Sequence, residues 1–227
     1  MTVTPVKDAM RDAMIWFDFG GVLSPPMDEL YRSYEAKTGI TGERLKAAIA
    51  KVTGESATTE HPPLYRGLMS EAEWGGRVAD ALRAADPDTD LSKARLKHFG
   101  QQWFEGITAN PQMVRAVQRI REGGLRVGIL SNNVAEWEPH WHAIIAPAGD
   151  FDVVIDSSRV GHCKPGQEIF ALAEQTAGVG AEDCVLVDDL PRNCEAARSR
   201  GWRAVHFRDN AQALEELASV TGLPGLL

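Results

Sequence analysis

The sequence predicts an α/β fold: a parallel sheet with helices on both faces, and a smaller helical unit inserted after the first strand. Three observations carry this expectation. Apolar runs of strand length recur near residues 14–19, 125–130, 151–155, 184–187 and 202–207. From residue 111 onward these runs alternate with helical segments of roughly 10–15 residues, the rhythm of β-α-β units. Between the first and second runs, from Asp28 to Phe104, the apolar spacing is helical.

Taken in order, Met14-Ile-Trp-Phe17 is the first strand, with Asp18 at its end, and Gly20-Gly21 and Pro25-Pro26 stop it. Leu30 and Tyr34 mark a helix that ends before Gly39, and Leu45, Ala48, Ile49 and Val52 form the stripe of a second. Ser70-Glu-Ala-Glu73 has the form of a capping box opening a third helix through Trp74, Val78, Ala81 and Leu82. Asp86–Asp90 breaks the run, and a fourth helix is expected over 92–104. Pro111 suits the first turn of a helix running to Arg121. A strand follows at 125–130, ending in Ser131-Asn132-Asn133, then a helix at 136–145 and a strand at 151–155. A loop leads to Lys164-Pro165 and a helix at 167–177. The strand Cys184–Val187 ends in Asp188-Asp189, followed by a helix over 193–200, a strand over 202–207 and a C-terminal helix after Asn210.

Composition narrows the function classes. Of 227 residues, 44% are hydrophobic and 25% charged, which fits a packed globular protein. The formal charge of −8 disfavours nucleic-acid and anionic-membrane partners, which call for basic patches. No apolar run approaches the roughly 18 residues that span a bilayer. Residues 1–14 carry Lys7, Asp8, Arg11 and Asp12 and lack an apolar signal core. Cys163, Cys184 and Cys194 form no C-x-x-C pair, and an odd count suits a reducing compartment. The expectation is a cytoplasmic protein, a monomer or homodimer.

In open parallel sheets, ligands bind beyond the carboxyl ends of the strands. The polar residues Asp18, Ser131, Asp188 and Asp189 all fall there. Adjacent carboxylates repel, so burying Asp188 and Asp189 at a strand end makes sense chiefly with a cation. Ser131 can donate a hydroxyl hydrogen bond to an anion, and the Asn132 N–H lies beside it.

Four segments, Phe17-Asp18-Phe-Gly-Gly-Val-Leu23, Leu130-Ser131-Asn132, Lys164-Pro165 and Val187-Asp188-Asp189-Leu-Pro-Arg-Asn193, resemble, in order, the motifs of the haloacid dehalogenase-like superfamily. The resemblance spans nearly the whole chain. It implies a Rossmann-like core over residues 1–23 and 106–227, with residues 24–105 as the helical cap. It also implies a magnesium-dependent phosphatase acting on a small phosphorylated metabolite. Asp18 is then the nucleophile, forming an aspartyl-phosphate. Asp18, the Gly20 carbonyl and Asp189 hold Mg2+, with Asp188 in its outer shell. Gly20, Gly21, Ser131, Asn132 and Lys164 bind the phosphate, Ser131 and Lys164 also serving catalysis. Asn193 matches a position that supports the acidic loop.

One departure stands out. Family phosphatases usually carry a second Asp two residues after the nucleophile, as acid and base; here it is Gly20. General acid–base catalysis is worth about 10²–10⁴ in rate. Gly20 therefore favours a substrate with a good leaving group, such as an anomeric sugar phosphate or an acyl phosphate, or a substitute acid, for which His61 is a candidate. Two alternatives remain: a metal-independent hydrolase of the dehalogenase kind, or a catalytically weak binding or regulatory protein on the same scaffold. Trp137, His140, Trp141 and His142 read as amphipathic packing, and Arg66 as a loop residue within reach of substrate.

Overall fold

The computed structural model describes residues 12–54, 62–223 and 226. His61 lies outside them. Five parallel strands form one sheet in the order β3-β2-β1-β4-β5. They are β1 (Met14–Phe17), β2 (Arg126–Ser131), β3 (Val153–Asp156), β4 (Cys184–Asp188) and β5 (Arg203–His206). The central strand β1 pairs with β2 through Met14↔Arg126 and with β4 through Met14↔Cys184. Its neighbours on the two sides come from different parts of the chain, so the ends of β1 and β4 flank a crevice where the strand order reverses.

All four residues of β1 are buried, as expected for a strand covered on both faces. Ile15 and Phe17 face one layer with Val127, Ile129, Val185 and Val187. Met14 and Trp16 face the other with Leu130, Leu186, Ile169, Phe170 and Trp202. Gly128 of β2 makes room for this second face: a Cβ there would lie 2.5 Å from Met14 Cε and 2.7 Å from the Trp16 ring. The layers are closed by α5 (Pro111–Glu122), α6 (Glu138–Ile145), the single turn α7 (Ser157–Val160), α8 (Gln167–Ala177), α9 (Pro191–Ser199) and α10 (Asn210–Thr221).

Among the described residues four α-helices lie between β1 and α5: α1 (Met27–Thr38), α2 (Gly42–Thr53), α3 (Glu71–Ala85) and α4 (Phe99–Phe104). Ser70 caps α3, its hydroxyl accepting the Glu73 N–H. The Glu73 carboxylate pairs with Arg77, so the expected capping box supplies its Ser half. The helix expected over 92–104 forms only from Phe99, after a tight turn at Leu96–His98. The Gln102 side chain explains this: its Oε1 accepts the Arg95 N–H at 2.7 Å and its Nε2 donates to Lys93 O at 2.8 Å. These bonds satisfy backbone groups that a continuous helix would have paired itself. Among the described residues no helix is long and apolar enough to cross a membrane.

Candidate active site

The Asp18 N–H still belongs to the sheet, donating to Val187 O at 2.9 Å. Beyond it the chain leaves in a wide turn over 19–23, closed by Ser24 N–H on Phe19 O at 2.8 Å. The Asp18 carboxylate accepts the Phe19 N–H at 2.7 Å. Gly21 sits at φ +71°, and a Cβ there would lie 2.5 Å from Asp189 Oδ2. A side chain at this position would thus be strained and would displace Asp189. Gly20 differs: its φ is −64°, and a Cβ there would meet only Met27 Sδ, at 3.9 Å.

From the end of β4, the buried Asp188 reaches in. Its Oδ1 accepts the Leu190 N–H and Asn193 Nδ2, each at 2.9 Å, and its Oδ2 faces Lys164 Nζ at 2.5 Å. Lys164 is 1% exposed and also lies 3.2 Å from Asp18 Oδ1. Ser131 lies buried at the end of β2, close enough to Asp18 to pull its carboxyl's pKa down. The four motifs thus meet at one edge of the sheet. Asp18, Asp188 and Asp189 each place an oxygen within 4.8 Å of the others.

Burial raises the Asp18 carboxyl to about 6, against the lowering pull of Lys164 and with repulsion from Asp188 added. Burial likewise raises Asp189 to about 7, reinforced by Asp18 and Asp188. For Lys164, burial works against the charge, but the two carboxylates outweigh it and its pKa is raised. Three carboxylates against one ammonium leave an excess of negative charge in a desolvated place, and a divalent cation would relieve it. The donor set of hard oxygens fits Mg2+. Asp188 already has both oxygens engaged by protein donors, which leaves Asp18 and Asp189 as the freer carboxylates.

Some contacts were not anticipated from the residues. The Asn132 side chain clamps the Lys164 backbone: Oδ1 accepts its N–H at 2.8 Å and Nδ2 donates to its carbonyl at 2.7 Å. A carboxamide is the complement of a peptide group, but nothing in the sequence says which peptide it meets. His206 Nε2, at the end of β5, lies 3.1 Å from the Asp189 carbonyl, positioned to donate to it. Gly21, expected at the phosphate, lies against Asp189. Arg66 turns toward Gly161 O at 3.4 Å. Trp141 is buried, His142 lies 3.8 Å from Glu138, and His140 lines a cleft of about 330 Å³ between α4 and α6, in keeping with the packing reading.

A carboxylate triad with one buried lysine lies at the strand ends of a parallel sheet covered on both faces, where ligands bind in open α/β folds. The sequence profile of haloacid dehalogenase-like hydrolases matches residues 14–201, and the chain belongs to that family. It is 27% identical to acyl-CoA dehydrogenase family member 10 of Mus musculus over 92% of this chain, but spans 19% of that relative. It is 25% identical to bifunctional epoxide hydrolase 2 of Rattus norvegicus over 91% of this chain and 38% of that one. Hexitol phosphatase A of Escherichia coli is 24% identical, with 86% and 83% covered. Among solved structures, L-2-haloacid dehalogenase of Xanthobacter autotrophicus with covalently bound chloropropionic acid superposes with a TM-score of 0.64, at 18% identity over 94% of this chain and 85% of that one. A haloacid dehalogenase family enzyme of Bacteroides thetaiotaomicron, in complex with magnesium and inorganic phosphate, superposes at 0.55, with 18% identity over 85% and 92%. At these identities the structural likeness speaks to the fold.

Proposed function

We propose that the protein hydrolyses a small phosphomonoester through an aspartyl-phosphate on Asp18, with Mg2+ as cofactor. The observation that carries this reading is the buried Asp18–Asp188–Asp189 triad with Lys164 between two of its members. The dehalogenase reaction proceeds at carbon and has no need of an acidic pair beside its nucleophile; a phosphate dianion does need cationic charge between itself and the attacking carboxylate. The phosphatase name of one relative, and the magnesium and phosphate bound to one structural neighbour, point the same way.

Asp18, Asp189 and the Gly20 carbonyl would hold the metal, which when bound supplies charge neutralisation at the transferred phosphoryl group. Asp188 acts from outside that shell, holding Lys164 and receiving Asn193. Lys164 and the Ser131 hydroxyl hold the phosphoryl oxygens, with the Asn132 N–H beside them. Asn132 acts a second time by fixing the Lys164 backbone. Residues 24–105 are the cap that closes over this group, on a core formed by 1–23 and 106–227. Because Gly20 cannot protonate the departing oxygen, the enzyme favours leaving groups that depart as stable anions.

The test is phosphate release from aryl, acyl, sugar and alkyl phosphates, with Mg2+ and with EDTA. Expected is Mg2+-dependent release that ranks with leaving-group acidity and disappears in Asp18→Asn. Turnover of a 2-haloacid in EDTA, with no phosphate released in either condition, would replace this reading with the dehalogenase one. Binding of Mg2+ and phosphate without turnover of any ester would mark a binding protein. Gly20→Asp, whose Cβ would meet only Met27 Sδ, at 3.9 Å, is expected to raise turnover of alkyl phosphates selectively.

A further inference from the structure

Ser157 is fully buried, and the chemistry proposed above makes no use of it. It opens α7 at the end of β3, outside the four motifs. Its hydroxyl nevertheless joins the two loops whose side chains face Asp18. One loop is Ser131-Asn132-Asn133, leaving β2; the other runs from α7 to Lys164. The Asn133 N–H donates to Ser157 Oγ at 3.0 Å, and Ser157 Oγ donates to Tyr65 O at 2.6 Å. Asn133 O, the other acceptor near this hydroxyl, is farther away, at 3.5 Å. The same Tyr65 carbonyl accepts the Cys163 thiol at 3.4 Å, and Cys163 directly precedes Lys164.

These bonds close a ring. On one side the Asn132 side chain grips the Lys164 backbone, at 2.8 Å to its N–H and 2.7 Å to its carbonyl. On the other, the path runs from the Asn133 N–H through Ser157 Oγ to Tyr65 O and back to Cys163. Asn132 and Asn133 are neighbours in the chain, as are Cys163 and Lys164. A tie at Asn132 alone would hold the loops together yet let them turn about it. A second tie, one residue further along each loop, fixes their mutual orientation. The Tyr65 carbonyl is itself held: it lies in the tight turn Pro63–Arg66, which packs on α7. A Cβ at Gly67 would lie 2.3 Å from Ser158 O, and Arg66 Nε donates to Gly161 O at 3.4 Å. A hydroxyl can accept an N–H and donate to a carbonyl from one atom. Without it, the Asn133 N–H would lose its acceptor in a buried place.

We propose that Ser157 is a positioning residue: its hydroxyl sets the Ser131 loop against the Lys164 loop so that both side chains grip one phosphoryl group. The inference rests on the phosphatase reading, in which Ser131 and Lys164 hold the phosphoryl oxygens. Ser157 acts through the two loops and not on the substrate. Because Tyr65 belongs to the stretch between β1 and β2, the grip is braced from that stretch as well as from the sheet. Misplacing such a grip by about 1 Å can cost about 10²-fold in rate.

The experiment compares Ser157→Ala, Ser157→Cys and Thr221→Ala with the wild-type full chain in saturating Mg2+. It measures, per folded molecule, the affinity for inorganic phosphate by calorimetry, and kcat and KM for phenyl phosphate. Thr221 is the control. It is equally buried, and its hydroxyl is bonded in the same way, donating to Leu217 O at 2.6 Å and accepting the Leu223 N–H at 3.3 Å. Leu223 lies against Gly123, in the turn that enters β2 and so at the opposite edge of the sheet. In Ser157→Ala, phosphate should bind at least about tenfold more weakly and kcat/KM should fall about 10²-fold, kcat and KM both contributing. Ser157→Cys keeps a weak donor and should lie between alanine and wild type. Thr221→Ala should stay within about twofold of wild type in both measurements. Ser157→Ala within about threefold of wild type in both, or Thr221→Ala losing as much, would overturn this inference while leaving the phosphatase reading intact. Should the alanine variant not fold, the cysteine variant carries the test, and wild-type phosphate affinity in it would overturn the inference. No phosphate released by the wild type from any ester would overturn the phosphatase reading, and this inference with it.

Discussion

Two buried regions meet at consecutive residues. Asp18 points into the polar site, while Phe19 begins an aromatic cluster that runs into the helices between β1 and β2. Phe19 packs on Phe104 at 5.6 Å and Trp141 at 5.7 Å; Phe104 meets Trp137, and Trp137 meets Phe99 and Trp74. Phe99 in turn contacts Tyr34 and stacks on Trp103, both at 5.0 Å. The polar region is held by a few bonds between specific atoms, each with a particular partner. The aromatic region is held by area shared among many rings. Loss of one atom in the first changes what the site can do. Loss of one ring in the second changes how firmly the protein stands.

Glu71 shows how the two modes combine. It opens α3 and is 7% exposed, inside the aromatic region. Its Oε1 accepts the Gly100 N–H at 2.6 Å and Trp137 Nε1–H at 2.7 Å. A buried carboxylate at a helix N-terminus with two donors is tolerable where an unpaired one would not be. It ties α3, α4 and the segment before α6 together without taking part in the site.

The contrast can be broken from either side. The largest effect is expected for Asp18→Asn: phosphate release should fall by at least about 10⁴-fold, equivalent to about 5.5 kcal/mol, while the thermal midpoint moves by only a few degrees. Wild-type turnover in this variant would remove the nucleophile. Next is Lys164→Met, which leaves Asp18 and Asp188 buried without a cation. A loss of about 3–5 kcal/mol is expected in denaturant titration, together with loss of activity. A loss below about 1 kcal/mol would mean that the polar region does not depend on its ion pairs.

A smaller effect is expected in the aromatic region. Trp137→Phe keeps an aromatic ring but removes the indole N–H donor to Glu71 and the space the indole filled, at a cost of about 1–3 kcal/mol. The kcat/KM per folded molecule should stay at the wild-type value; a drop would mean that the cluster also shapes the site. The smallest effect is on pH. Asp189 at about 7 and Asp18 at about 6 hold protons that compete with metal. Apparent Mg2+ affinity, read by calorimetry, should weaken about tenfold from pH 8 to pH 6. The same raised pKa values mean that, without metal, these two groups favour the fold most below the unfolded value of 3.8, and lose that contribution as pH rises through 6 and 7. Added Mg2+ should restore stability at pH 8. A metal-free protein equally stable at pH 5 and pH 8 would contradict the raised pKa values that burial, with repulsion added, gives Asp18 and Asp189.

The sequence by itself determined the α/β class, the placement of every strand to within about two residues, and the set of polar residues at the strand ends. Those are local properties: a short apolar run and the turn that stops it are written in consecutive residues. The convergence of Asp18, Ser131 and Asp188 follows from the parallel order of strands, so it too could be anticipated; Lys164, on the loop before α8, was placed there only by resemblance. Only the tertiary structure decided that Asn132 grips the Lys164 backbone, that Gly21 is bare because Asp189 lies on it, and that Gln102 unwinds the helix expected before it. These contacts join residues up to 168 positions apart, as from Gly21 to Asp189. A side chain's choice of partner depends on what the fold brings within about 3 Å of it, and that distance is not written along the chain.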